Sequence, residues 1–173
     1  MSRFRITTTS IAQLHIKGNS TLFWRKLNII QYILEKTWAG KPVNETDIET
    51  CKNKLIKGIG YINIKKNAEN KSVSEVSDLF SYAEKDADFL RKQIALLSPQ
   101  IVVCCGTKTL YDQIYPTECS FLVYGVSHTK EYLVIDSYHP SYYGESFEEL
   151  FQWLSKSMTD QKVQKEITLL KTT

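Results

Sequence analysis

Apolar residues along this chain change their period several times, and each change marks an element. From Thr21 onward Phe23, Leu27, Ile30, Leu34 and Trp38 recur at spacings of four, three, four and four, until Gly40 and Pro42 interrupt them. That spacing predicts an amphipathic helix. A second, more polar helix is expected over residues 45–57, with Ile48, Cys51 and Leu55 inward and Gly58 just past its end. Near the N-terminus Phe4, Ile6 and Thr8 alternate with other residues in the pattern of a short strand. Ile59-Gly60-Tyr61-Ile62-Asn63-Ile64-Lys65 reads as a largely apolar strand that runs out into a polar cluster over 65–71. Ser81 and Glu84 stand at capping-box spacing, and Ala83, Ala87, Leu90, Ile94 and Leu97 continue one face as far as Ser98-Pro99. A helix of four turns is expected there.

Residues 101–105, Ile-Val-Val-Cys-Cys, form an uninterrupted β-prone run closed by Gly106. A strand buried on both faces of a parallel sheet has this composition, which places the run at the sheet centre. A short helix near 108–114 follows, then strands over 121–124 and 131–137 joined by a turn through Gly125 and His128. Ser146 and Glu149 repeat the capping-box spacing and open a helix with Phe147, Leu150, Phe151 and Leu154 inward. Residues 159–170 read as a peripheral helix. The organisation expected is one α/β domain over 1–158 and a C-terminal tail over 159–173. Strands alternating with helices imply three αβα layers around a mainly parallel sheet, and such sheets take ligands outside the C-terminal ends of their strands. Asn63 and His139 fall at two such ends.

Composition narrows the class. A chain of 173 residues with 42% hydrophobic content suffices for one substantial core. No apolar run approaches the ~20 residues of a membrane span, and the start Met-Ser-Arg-Phe-Arg lacks the apolar region of a secretory signal. Cys51, Cys104, Cys105 and Cys119 fit no zinc or iron-sulfur spacing and read as reduced thiols of a cytoplasmic protein; no metal or cofactor is expected. The net charge is only +3, but residues 1–75 carry 13 Lys/Arg against 6 Asp/Glu, whereas residues 76–173 carry 9 against 13. A basic front half suits a phosphate backbone, although lysines also keep ordinary helix faces solvated.

Two residues could carry chemistry. Asn63 is a polar side chain within an apolar stretch, and its amide can read a nucleobase edge with a donor and an acceptor together. An isolated asparagine more often bonds a neighbouring loop. His139 follows a predicted strand, and Pro140 restricts its backbone to extended conformations. Its imidazole is thereby aimed, between Tyr138 and the pair Tyr142-Tyr143. Asp136 is either an orienting carboxylate or an ordinary exposed one; His15 and His128 suggest no role.

Tyr-Ile-Asn-Ile-Lys-Lys (61–66), Leu-Leu-Ser-Pro-Gln-Ile-Val-Val-Cys-Cys-Gly (96–106) and Val-Ile-Asp-Ser-Tyr-His-Pro-Ser (134–141) resemble three successive landmarks of the uracil-DNA glycosylase superfamily. The similarity covers residues 59–155. It implies a glycosylase-like α/β fold and a DNA partner carrying uracil or another modified base. In this resemblance Asn63 reads the flipped base, and Phe4 corresponds to the aromatic residue that stacks on it. His139 donates a hydrogen bond to the base O2, and Pro140, Ser141 and Tyr142 press on the DNA backbone. The family's first landmark, a Gly-rich loop holding the group that positions the attacking water, has no counterpart ahead of Gly18. Either the chain is a shortened member, or its first strand is replaced and its activity is reduced or lost. The alternatives to an enzyme are a non-catalytic nucleic-acid or nucleotide binding module and an interaction protein on an inherited fold.

Overall fold

A computed structural model of the chain describes residues 22–52, 59–60, 62, 64, 76–116 and 118–172. The first helix, α1 (Leu22–Trp38), buries Leu27, Ile30 and Leu34 as its stripe predicts. It also buries Ile29, Tyr32 and Ile33, so α1 is covered on more than one side. Each such aliphatic side chain contributes about 1.5–3 kcal/mol through burial. The second predicted helix begins as a 3-10 turn, Glu45–Asp47, and continues as α2 (Ile48–Lys52), with Cys51 fully buried. Asn28 Nδ2 donates to the Lys52 carbonyl at 2.8 Å and fastens α1 to the end of α2.

The single helix expected after Ser81 is two helices, α3 (Val76–Lys85) and α4 (Ala87–Leu97), broken at Asp86. Ser81 lies inside α3 rather than at a helix start. Its spacing to Glu84 coincides with the capping pattern, and the apolar stripe crosses the break because Ala83 and Leu90 bury into the same core. α4 stops at Ser98, whose left-handed φ of 43° precedes Pro99.

The described sheet has four strands: β1 (Ile101–Cys105), β2 (Ser120–Val123), β3 (Val126–His128) and β4 (Leu133–Ser137), in the order β1-β4-β3-β2. β1 and β4 are parallel, whereas β3 pairs antiparallel with both β4 and β2, so the sheet expected to be mainly parallel is mixed. β1 was expected at the centre and lies at an edge of the described sheet; β4 is inside it, with Leu133, Val134 and Ile135 buried. The reason is visible in β1 itself. Ile101 and Val103 pack against one core cluster while Val102 and Cys104 join the other. An edge strand covered by helices on both faces therefore has the same apolar composition as a central one.

β3 replaces part of the turn expected between Gly125 and His128. Gly125, at φ 72°, turns the chain directly after β2, and Thr129 closes the next turn by accepting hydrogen bonds from the Glu131 and Tyr132 amides at 3.1 Å. The predicted short helix is α5 (Lys108–Ile114). The later capping box opens α6 (Phe147–Met158): Ser146 Oγ accepts from the Glu149 amide at 3.1 Å, and Glu149 Oε2 accepts from the Ser146 amide at 2.7 Å. The last helix is α7 (Gln161–Leu170), where Val163 and Ile167 are buried in the larger core.

Alternation along β1 and β4 divides the interior. Ile101, Val103, Leu133 and Ile135 meet α1, α6 and α7, whereas Val102, Cys104 and Val134 meet α3, α4 and α5. The architecture is three αβα layers, as expected. Ile59, Gly60, Ile62 and Ile64 are not part of the sheet, in contrast to the strand expected there, and Ile62 and Ile64 pack partly buried on the second core. Partial burial of Ile62 and Ile64 against that core accounts for part of the apolar pattern, and residues 61, 63 and 65 of the expected strand lie outside the described residues. The strand expected over Phe4–Thr8 lies outside the described residues. No helix among the described residues is long and apolar enough to cross a membrane.

Candidate functional site

The parallel pairing of β1 and β4 brings two strand exits together. Cys105 lies beside Ser137, and the next residue, Gly106, donates its amide to the Ser137 carbonyl at 2.6 Å. Gly106 has a φ of 68°, and a Cβ there would stand 3.5 Å from the His139 amide nitrogen. A small residue with left-handed freedom lets the two exits close on each other. Burial pushes the Cys104 thiol far up and the Cys105 thiol up to about 11. Both therefore remain protonated at neutral pH and offer no nucleophile.

Beyond Ser137 the chain forms a tight turn, in which the Tyr142 amide donates to the His139 carbonyl at 2.7 Å. Pro140 is buried within it, while His139, Ser141 and Tyr142 are exposed. The Ser141 amide donates to Nδ1 of His139 at 3.2 Å. A neutral imidazole has one acceptor and one donor nitrogen, so this bond assigns the proton to Nε2. Residues 139–142 thus present an exposed, oriented hydrogen-bond donor at the C-terminal edge of the sheet. Tyr138 and Tyr142 flank it with rings 4.8 Å apart, and the His139 ring lies 5.7 Å from that of Phe23 on α1.

The open question about Asp136 is answered by its surroundings. It is an exposed residue of β4; desolvation raises its carboxyl above the usual range, with the charge of Lys108 opposing and that of Asp112 adding to the shift. Nδ1 of His139 is oriented by its own loop instead.

Underneath the turn is a buried polar chain that the sequence reading missed. Lys26 of α1 is 1% exposed, donates from Nζ to the Tyr142 carbonyl at 2.7 Å and lies 3.7 Å from Glu145 Oε2. Glu145 is 7% exposed, and its Oε1 accepts from Trp153 Nε1 at 2.8 Å. Removing one partner of a buried ion pair typically costs about 3–5 kcal/mol, because the other charge is left uncompensated. The signal was present in the helical spacing: Lys26, Ile30, Ile33 and Thr37 share one face of α1, and all four are buried. A lysine within an apolar stripe needs a partner.

The structure brings His139, Pro140, Ser141 and Tyr142 together at one edge; Asn63 and Phe4 lie outside the described residues. A groove of about 460 Å³ beside the turn is walled by Tyr138, Gly144, Glu145, Glu149, Gln152, Trp153 and Lys156. His139 does not line that groove.

Residues 18–161 match the family model described as the Uracil DNA glycosylase superfamily. No curated protein and no solved structure gives a match.

Proposed function

Because the chain belongs to the uracil DNA glycosylase superfamily, we propose that it binds uracil or a related modified base extruded from DNA and hydrolyses its N-glycosidic bond. The observation that carries this reading is the bond from the Ser141 amide to Nδ1 of His139, which reserves the exposed Nε2–H as a donor. As the glycosidic bond breaks, its electron pair passes to the base. Nε2–H of His139 donates to the base O2, where negative charge accumulates, and water adds its oxygen to the sugar carbon while releasing a proton to solvent. A donor aimed at such a charge contributes about 3 kcal/mol in comparable sites. Asn63 reads the edge of the base, Phe4 stacks on it, and Pro140, Ser141 and Tyr142 bear on the backbone. Contacts of this kind offset the cost of unstacking the base. The lysine-rich residues 1–75 supply the attraction for phosphates.

A second reading, a module that binds the base without releasing it, is favoured by how nearby carboxylates are used. Glu145 is committed to Trp153 and Lys26, and Glu149 caps α6. Glu145 and Glu149 are thus held by protein groups rather than left to hold a water molecule.

A gel assay with uracil-containing single- and double-stranded oligonucleotides, scoring abasic sites and binding together, separates the readings. The expected result is base release that falls roughly 10²-fold or more in His139→Ala. Salt-sensitive binding without release in the unaltered chain would establish the binding module instead. Neither release nor binding would reject both.

A further inference from the structure

We infer that Lys26 and Glu145 are positioning residues, a buried pair that fixes the 139–142 turn so that the Ser141 amide meets Nδ1 of His139. The inference rests on the reading of His139 as the donor to the base, but the geometry it concerns exists without substrate.

Both polar groups of the Tyr142 backbone are engaged. Its amide donates to the His139 carbonyl at 2.7 Å, and its carbonyl accepts from Lys26 Nζ at 2.7 Å. The turn is therefore closed from within and anchored from below at one residue. Glu145 lies 3.7 Å from the same ammonium and is itself held by Trp153 of α6 at 2.8 Å. The anchor thus links α1 to α6 through the turn. Phe23 is one helical turn before Lys26, and its ring is 5.7 Å from that of His139. One face of α1 consequently meets both the imidazole and the backbone that orients it.

Packing alone does not account for a lysine here. Its ammonium is nearly inaccessible to water, a position that an apolar side chain of similar length would occupy without a desolvation cost. What the ammonium adds is direction, because its donor fixes where the Tyr142 carbonyl can lie. If that carbonyl moves, the short turn moves with it, and the contact from the Ser141 amide to Nδ1 is lost. The ring is then free to carry its proton on Nδ1, which leaves Nε2 as an acceptor.

The test is nitrogen-proton NMR of the imidazole in the full chain, with the His139 signals identified by their loss in His139→Gln. The unaltered protein should show one tautomer, protonated on Nε2. In Lys26→Met the other tautomer should rise about fivefold relative to the first, the change expected from losing one ordinary hydrogen bond. Lys26→Arg, which keeps a charged donor, should restore most of the original ratio. Asn28→Ala removes a different buried hydrogen bond from α1, to Lys52, and should leave His139 unchanged. Should Lys26→Met fail to fold, Glu145→Gln serves in its place: it keeps an acceptor for Trp153, removes the charge facing Lys26 and should shift the ratio in the same direction. Unchanged His139 signals in a folded Lys26→Met or Glu145→Gln, or an equal change in Asn28→Ala, would overturn the inference. If the unaltered chain releases no base, the proposed activity fails while the tautomer ratio still decides this point. Where base is released, kcat of Lys26→Met should fall about fivefold with KM little changed, as for an interaction that acts in the transition state.

Discussion

At the scale of single residues, Asp136 and His139 lie three positions apart and belong to different environments. Asp136 lies within β4 and alternates onto the same side as Val134, where desolvation raises its carboxyl. An acid raised in the folded state binds its proton more tightly there than in the unfolded chain, so folding stability declines as pH rises through the interval between the two values. Asp136→Asn should therefore be slightly more stable than the unaltered protein at pH 7, by about 0.5 kcal/mol at most because solvent screens the site. The advantage should vanish in acid below the ordinary carboxylate range, and thermal melts at pH 7 and pH 3 would show it. A loss of stability at pH 7 would indicate that the carboxylate has a partner worth keeping. The exposed place of His139 just beyond β4 could be read from sequence because Pro140 restricts the backbone before it and the apolar run 133–135 marks the strand it follows. Lys26 and Glu145 could not be read so directly. Their role depends on a carbonyl 116 positions from Lys26, at Tyr142, which no local spacing specifies.

At the scale of elements, several features that depend on neighbouring residues were legible, whereas those that depend on long-range pairing were less so. α5 and the start of α6 follow the sequence because caps and stripes act within one or two turns. β3 has only three residues between Gly125 and Thr129, too few for an alternation to register. The break at Asp86 was hidden by an apolar stripe that both α3 and α4 direct into one core. The position of β1 at an edge depends on which strand pairs with it, which its own residues do not encode. The capping box at Ser146 provides a test at this level. Ser146→Ala removes the acceptor for the Glu149 amide and should cost about 1 kcal/mol at neutral pH. For a chain of this size that is a fall in Tm of roughly 2–4 °C. The Glu149 carboxyl is lowered by its hydrogen bonds to Ser146, chiefly from the backbone. Its stabilising part is therefore present above the unfolded carboxylate value and is lost as pH falls through the folded one. Ser146→Ala keeps the backbone amide that chiefly lowers Glu149 and removes only the smaller side-chain contribution, so its cost should fall only slightly in acid, and melts across pH 2–7 would check this.

At the scale of the whole molecule, the sheet separates two cores of unequal reach. The α3–α5 core joins Ala83 and Leu90 to Tyr111, Tyr132 and Val134, with the two tyrosine hydroxyls 2.9 Å apart. The other core extends from α1 through β4 and α6 to the last helix, taking in Ile29, Ile33, Leu133, Leu154, Val163 and Ile167. That larger core also underlies the 139–142 turn, because α1 provides Lys26 and Phe23 and α6 provides Trp153. A C-terminal tail that merely trailed from the domain would contribute little to it. Ile167 is 1% exposed on α7, so Ile167→Ala leaves a cavity inside the core and should cost about 2–4 kcal/mol, a Tm lower by roughly 6–12 °C. Because α7 shares its core with α1 and α6, the loss should appear as a displaced but still single transition in urea, with its slope unchanged. A cost below about 0.5 kcal/mol, the range of surface substitutions, would instead separate α7 from the domain. It would also leave the layer beneath His139 to α1 and α6 alone.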